Sequence, residues 1–121
     1  MIRSATLAFA LLAAGSARAA DVEAGKTVFN ACKICHPIQA GAKNGVGPNL
    51  HGLFGRKAGT YDDFQYSAAM KNSGIIWDDE TLAKYIRDPK GFVPQDKMAY
   101  PGLHDDAKLA DLLAYLKEAT K

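Results

Sequence analysis

The sequence predicts an all-α, single-domain protein, and three observations support this fold class. Apolar residues recur at helical spacing in separate segments, and no stretch of useful length shows the alternation typical of a strand. Acidic residues stand at the start of several of these segments, where they complement the positive end of a helix. The chain of 121 residues, less a predicted leader, has the size of one small domain.

The first 19 residues predict a signal peptide, which leaves a mature domain at residues 20–121. A charged start is followed by an apolar stretch from Ala5 to Ala14 and by the cleavage motif Ala17-Arg18-Ala19. The apolar stretch is short of the ~20 residues that span a bilayer, although an uncleaved anchor is the alternative interpretation. We therefore expect a soluble periplasmic protein that does not insert into the membrane.

The charge balance argues against a nucleic-acid partner. The full chain holds 15 Lys and Arg residues against 13 Asp and Glu residues, and the leader contains Arg3 and Arg18. Removing these two bases leaves 13 bases against 13 acids, a formal net charge of zero. A whole-protein attraction to nucleic acid is not expected at that balance.

The elements are predicted in chain order as three main helices, shorter helices and ordered loops. Asp21 caps a helix from Val22 to about Ala31. A glycine-punctuated loop covers residues 37–60, and its apolar side chains need burial. These apolar residues are Val46, Leu50, Leu53 and Phe54.

The second half continues the helical pattern. A short helix is expected over residues 67–72, and a longer one begins with the acidic run at residues 78–80 and ends at about Arg87, before Pro89. Residues 90–103 are expected to be irregular. Asp105 and Asp106 open the last helix, which carries a leucine stripe.

The motif Cys32-Lys33-Ile34-Cys35-His36 is typical of a c-type haem attachment site. Two cysteines three apart share one face of a helical turn, so both thiols can add to the two vinyl groups of one haem. The histidine is then placed under the iron. A zinc site would need a second cysteine pair, and the chain has only 2 cysteines. A dithiol redox pair and a structural disulfide remain weaker alternatives.

An iron with one histidine needs a sixth ligand or an open site. The candidates in the mature chain are Met98, Met70, His51 and His104. Met98 is favoured because it lies in an irregular segment far along the chain from His36, and a thioether opposite imidazole is a known electron-transfer ligation. Met70 lies in a predicted helix and is more typical of core packing.

The sequence resembles class I cytochrome c, and the likeness covers essentially the whole mature chain. The residues that carry it are Gly25 and Phe29, the Cys32–His36 motif, the run from Gly47 to Arg56, Trp77, and the Lys97–Gly102 segment. The resemblance implies the cytochrome c fold, in which three main helices, short helices and loops wrap one covalently bound haem. Leu112 and Tyr115 are then expected to pack across Gly25 and Phe29.

The resemblance also implies roles for individual residues. Cys32 and Cys35 hold haem c, and His36 and Met98 ligate the iron. Pro48 accepts a hydrogen bond from His36 through its carbonyl. The remaining site residues are Arg56, Tyr66 and Trp77 at the propionates, Tyr85 near the Met98 sulfur, and Tyr100 beside the haem edge.

Three departures from the vertebrate mitochondrial pattern bear on this site. Met70 replaces a polar residue, Asp96 stands where a hydroxyl is expected to meet a propionate, and Tyr100 replaces a phenylalanine. They affect the expected propionate network and the redox potential, not the ligation.

We therefore expect a monomeric electron carrier, not an enzyme, whose haem cycles between Fe(II) and Fe(III). Its expected partners are membrane redox complexes: quinol–cytochrome c reductase as donor, and a terminal oxidase or photosynthetic reaction centre as acceptor. Docking is expected through lysines near the haem edge, although a scattered solvated surface is the alternative. These lysines are Lys33, Lys43, Lys90 and Lys97, with Lys26 as a further candidate.

Two other functions remain open at this point. If Met98 did not bind, the open iron could react with peroxide, or it could bind a gas in a sensor. The absorption spectrum distinguishes both from a carrier, because their iron would be high-spin and would bind carbon monoxide readily when reduced.

Overall fold

The computed structural model describes residue 8 and residues 18–121, so nearly all of the predicted signal peptide lies outside the described residues. Within that part of the chain there are helices and loops but no strand, only an isolated bridge between Lys57 and Ile76. None of these helices has the length and apolar character needed to cross a membrane. The helices are α1 (Val22–Phe29), α2 (Ala68–Lys71), α3 (Asp79–Arg87), α4 (Pro89–Phe92) and α5 (Asp106–Ala119).

Helix α1 begins where the sequence predicts but ends slightly earlier. The Asp21 side chain accepts hydrogen bonds from the backbone N–H groups of Glu23 and Ala24. The helix ends at Phe29, and the chain continues in turns through Cys35. Backbone bonds from Cys32 to the Phe29 carbonyl (2.8 Å) and from His36 to the Cys32 carbonyl (3.0 Å) keep this stretch helical in spacing.

The segment after α3 departs from the expectation. Residues 90–103 were expected to be irregular throughout, and this is wrong at the start because α4 covers Pro89–Phe92. Pro89 takes the first helical position, where its missing N–H would have no partner in any case. The Asp88 side chain accepts from the Gly91 N–H and caps the turn.

Helices α1 and α5 cross closely and build one side of the core. A Cβ on Gly25 would overlap the Asp111 carbonyl oxygen and lie 2.8 Å from Tyr115 Cβ, so only glycine permits this approach. Phe29 packs against Leu112, and its ring centroid lies 5.4 Å from that of Tyr115. The packing expected from the resemblance is therefore present.

A second cluster packs around Leu53, Trp77, Leu82 and Tyr85 on the far side of the loops. Leu53 is 4% exposed, in line with the expectation that the apolar loop residues are buried. Val46 is 82% exposed, so that expectation is wrong for this residue. Val46 is nonetheless among the residues that line the apolar cavity described below, next to Gly47.

Candidate haem site

An apolar cavity of about 270 Å³ lies between the two clusters. All of the site residues expected from the sequence line it, although they come from segments spread over the chain. They are Cys32, Cys35, His36, Pro48, Arg56, Tyr66, Trp77, Tyr85, Met98 and Tyr100.

The two cysteines are presented as free thiols. Cys32 and Cys35 are partly buried, and no disulfide joins them. The backbone N–H of Cys35 bonds to the Cys32 carbonyl at 3.1 Å, which is the helical turn that places both side chains at the cavity. Burial, and secondarily the neighbouring Cys35, raises the pKa of Cys32. Because neither sulfur is in a disulfide, both thiols are available for covalent attachment of a group bound in the cavity.

His36 is oriented by a backbone carbonyl. Its Nδ1 donates a hydrogen bond to the Pro48 oxygen at 2.8 Å, the acceptor that the resemblance implies. With the proton on Nδ1, Nε2 keeps its lone pair, as a metal ligand must. Burial lowers the pKa of His36, although the bond to Pro48 partly opposes this shift. The ring is therefore neutral at pH 7.

The loop that carries Pro48 is held by a buried asparagine. Asn49 is fully buried, and its Nδ2 donates to the carbonyls of Gln39 (2.8 Å) and Ala42 (3.0 Å). Its Oδ1 accepts from the His51 N–H at 2.9 Å. Asn49 therefore fixes the loop behind His36. Its role was not inferred from the sequence, although its place next to Pro48 in a glycine-rich loop was visible there.

The four candidate sixth ligands differ in where they lie. Met98 and Met70 both line the cavity, whereas His51 and His104 are not among its lining residues. His104 is exposed. Met70 is 8% exposed and packs within the second core cluster from α2. Met98 belongs to the irregular segment after α4, where the backbone is free to bring a side chain to a ligand.

Polar and aromatic groups occupy another part of the wall. Arg56 donates to the His51 carbonyl at 2.9 Å, and its guanidinium lies 4.6 Å from the centre of the Tyr61 ring. The Tyr66 hydroxyl accepts from the Tyr61 N–H at 3.2 Å. Burial lowers the pKa of Arg56 and raises that of Tyr66. Trp77 is buried, with its ring centroid 5.3 Å from that of Tyr85.

The buried carboxylate of Asp96 contacts two other side chains, of which Tyr85 is buried and Lys90 is exposed. The Tyr85 hydroxyl donates to Asp96 Oδ2 at 2.6 Å, and the Lys90 ammonium pairs with Asp96 Oδ1. Burial, followed by the contact with Asp96, raises the pKa of Tyr85, so the phenol stays protonated. The sequence placed Asp96 only by analogy with a hydroxyl at the propionates, and it did not foresee the contacts with Tyr85 and Lys90.

These groups fit a haem. Two thiols and a neutral imidazole lie on one helical turn, a thioether reaches the same cavity, and the remaining lining is mainly apolar. Gly47 acts as a cradle, because a Cβ at this position would overlap His36 Cε1 and lie 2.7 Å from Nδ1. The lining therefore has the donor set that a covalently attached haem requires.

Comparisons with known proteins agree with this fit. The family model described as cytochrome c matches residues 22–120. Cytochrome c2 of Blastochloris viridis is 52% identical over 110 residues, covering 89% of this chain and 87% of the relative. Cytochrome c-550 of Bradyrhizobium diazoefficiens is 50% identical over 98 residues, covering 81% and 72%. Cytochrome c of Sesamum indicum is 48% identical over 101 residues, covering 83% and 91%.

The family model matches nearly all of the described domain, and the cavity holds the thiols, imidazole and thioether that a haem needs. Both findings give the same family assignment. The chain belongs to the cytochrome c family, whose members are electron carriers and not enzymes and bind one covalent haem c.

Proposed function

We propose that this protein is a periplasmic electron carrier whose haem is attached through Cys32 and Cys35 and ligated by His36 and Met98. One observation carries the proposal: a neutral imidazole with its Nδ1 proton already engaged shares an apolar cavity with the Met98 side chain. Imidazole and thioether together favour reversible electron transfer over binding of an exogenous ligand.

The chain's own residues keep the site rigid and dry. When bound, the haem supplies a one-electron couple between Fe(II) and Fe(III). Pro48 holds the His36 ring in one orientation, and the apolar walls exclude water. Arg56, Tyr66 and Trp77 are proposed to hold the propionates, and Tyr100 is proposed to lie beside the haem edge. With His36 and Met98 both bound to the iron, the fixed walls would keep structural change on electron transfer small.

The ligation is tested by the spectrum of the ferric protein and of two methionine variants. We expect a low-spin spectrum with a weak sulfur-to-iron charge-transfer band in the parent. The band should disappear in Met98→Ala and persist in Met70→Leu, the matched control. High-spin iron in the parent, with ready binding of carbon monoxide on reduction, would instead favour the peroxide-reacting enzyme or the gas sensor.

The proposed partners are membrane redox complexes, with quinol–cytochrome c reductase as donor and a terminal oxidase or photosynthetic reaction centre as acceptor. The docking surface is proposed to be basic. Lys33 and Lys43 are exposed and flank the haem-attachment turn and its loop. Lys97 donates to the Gln65 carbonyl at 2.6 Å. Lys90 pairs with Asp96, so we assign the docking charge chiefly to Lys33 and Lys43.

Electron transfer should slow as ionic strength rises, because salt screens attraction between exposed charges over ~10 Å. Stopped-flow rates with purified membrane complexes measure this. Lys33→Glu and Lys43→Glu should lower the rate at low salt, whereas Lys108→Glu on α5 serves as the charge-matched control. Rates that do not change with salt, or equal losses in all variants, would rule out steering by this surface.

The periplasmic location rests on the predicted leader. Intact-mass measurement of the protein purified from the periplasmic fraction should give a chain that begins at Ala20 or Asp21 and carries one haem. A product of full length retained in the membrane fraction would contradict cleavage.

A further inference from the structure

The side chains of Tyr85, Lys90 and Asp96, which we call the Asp96 network, join a buried carboxylate to Tyr85 in the cavity lining. The Asp96 side chain is 1% exposed, and each of its carboxylate oxygens has a partner. Burying a carboxylate is costly unless it is paired and hydrogen-bonded. The two partners therefore explain how this position tolerates an acid.

Lys90 directs its whole hydrogen-bonding capacity to the segment that carries Met98. An ammonium group has three N–H donors. Here Nζ contacts Asp96 Oδ1, the Asp96 carbonyl oxygen at 2.9 Å and the Met98 carbonyl oxygen at 3.2 Å. Lys90 lies on α4, which Asp88 caps, so these bonds fasten the Met98 segment to a helix.

Tyr85 fastens the same segment to a second helix. It lies on α3 with 8% exposure, and its ring packs beside Trp77. A phenol has one proton to donate, and in this structure it goes to Asp96 Oδ2. The proton is therefore not available to the Met98 sulfur, although the sequence expectation placed Tyr85 near that atom.

We propose that the Asp96 network is a positioning device for Met98, in which Lys90 also neutralises the buried carboxylate that lies behind Tyr85, a residue of the cavity wall. The proposal rests on the proposed ligation by Met98. Tyr85 and Lys90 hold the segment from two helices, so the thioether does not have to be ordered anew when the ligand bond forms. Because Lys90 neutralises the Asp96 charge, this carboxylate does not add to the stability of the oxidised haem.

If Lys90 neutralises Asp96, the two single variants should move the midpoint potential in opposite directions, which a purely structural role of these residues does not predict. Lys90→Met leaves the Asp96 carboxylate without its ammonium partner, two residues from Met98, which favours the oxidised state and lowers the midpoint potential. Asp96→Asn leaves the Lys90 charge unpaired and raises the potential. The double variant removes both charges and should return close to the parent. At a fixed ambient potential, each single change should shift the oxidised-to-reduced ratio by about tenfold, the scale of one uncompensated charge in a protein.

The experiment is a redox titration of the holoprotein in the parent, both single variants and the double variant. Lys84→Met is the matched control, because Lys84 pairs with Glu80 on the exposed face of α3. The second readout is the urea concentration at which the Met98 charge-transfer band is lost, compared with that at which helical circular dichroism is lost. The band should be lost earlier in Lys90→Met than in the parent or in Lys84→Met.

The outcomes distinguish failure of this proposal from failure of the proposed ligation by Met98, on which it rests. A parent without the charge-transfer band overturns ligation by Met98, and the Asp96 network as its positioning device with it. A parent with the band, but single variants that move the potential in the same direction or no further than Lys84→Met, overturns the network alone. If Asp96→Asn does not take up haem, the Lys90→Met titration still decides the sign, because the Lys90 side chain is 58% exposed.

Discussion

At the scale of single residues, the site depends on close contacts that leave little freedom. The Gly47 backbone touches the His36 ring, and the Pro48 carbonyl accepts the Nδ1 proton of the same ring. Asn49 is fully buried behind them and is bonded to Gln39 and Ala42. Three consecutive loop residues therefore decide where one imidazole points.

Gly47→Ala should impair haem incorporation. Its Cβ would overlap His36 Cε1 and lie 2.8 Å from Nε2, so the ring or the loop must move. We expect a lower yield of haem-bound protein and a destabilisation of ~1–3 kcal/mol. The haem-to-protein absorbance ratio and urea unfolding measure both effects.

The control for this variant is Gly41→Ala. Gly41 has φ of +77°, and a Cβ at this position would meet no atom within 4 Å, so this change introduces backbone strain without a collision. Equal haem content in the two variants would show that haem incorporation does not depend on the space that Gly47 leaves for the His36 ring.

At the scale of elements, the crossing of α1 and α5 sets the frame on which the haem-attachment turn is built. Gly25 allows the two backbones to meet, and Phe29 at the end of α1 packs on Leu112. Asp111 on α5 accepts from the Asp21 N–H at 2.8 Å, just before α1 begins. The same carboxylate accepts from Arg18 at 3.0 Å.

Gly25→Ala should destabilise the protein although alanine is the better helix former. Intrinsic propensity alone would stabilise α1 by ~1 kcal/mol. The new methyl group would overlap the Asp111 carbonyl oxygen, and overpacking of this kind costs ~1–3 kcal/mol or more. Urea unfolding measures the sign, with the exposed Lys26→Ala on the same helix as control. A stabilised Gly25→Ala variant would contradict the close crossing.

Asp111 should add an acid-sensitive part to the stability of this crossing. The Asp21 N–H, followed by the Arg18 guanidinium, lowers the pKa of Asp111 below its usual value. Protonation is therefore harder in the folded state than in the unfolded state. The contribution is fully present above the unfolded pKa of ~3.9 and is lost as the pH falls through the folded pKa. Cleavage of the predicted leader before Ala20 would remove Arg18 and leave the larger cause, the Asp21 N–H, in place.

The measurement is the difference in unfolding free energy between the parent and Asp111→Asn as a function of pH. The difference should favour the parent at pH 7 and shrink on acidification below pH ~4. Using a difference cancels acid effects common to both proteins, including any at the iron ligands. A difference that stays constant with pH would mean that the charge of Asp111 plays no part.

At the scale of the whole molecule, the cavity separates two core clusters that share only partly buried contacts. Leu50, Phe54 and Ile86 are common neighbours of both clusters. Without haem, the apolar side chains that line this cavity would have no hydrophobic partner, so the stabilisation gained by burying them would be lost. Haem is therefore expected to complete the core as well as carry the electron.

The protein without haem should be largely unfolded. In Cys32→Ala/Cys35→Ala the covalent attachment is lost, and circular dichroism should show reduced helix and no cooperative thermal transition. The haem-bound parent, melted under the same conditions, is the control. A native-like cooperative melt of the haem-free variant would show that the polypeptide core is sufficient on its own.

Much of this molecule is readable from local sequence, because local chemistry decides it. The capping acids Asp21, Asp78 and Asp105 mark helix starts that the structure contains. The spacing of Cys32, Cys35 and His36 sets the attachment chemistry within a single helical turn. The resemblance extended this to ten of the residues that line the cavity.

Only the tertiary structure decided which distant side chains share a site. The Asp96 network, the exposure of Val46 and the contact of Gly47 with His36 all depend on how loops far apart in the chain pack together. Helix caps and the attachment turn are set by neighbours within a few residues, which a sequence displays. The partner of a buried charge is set by the fold, because burial makes pairing necessary but does not say which residue will supply it.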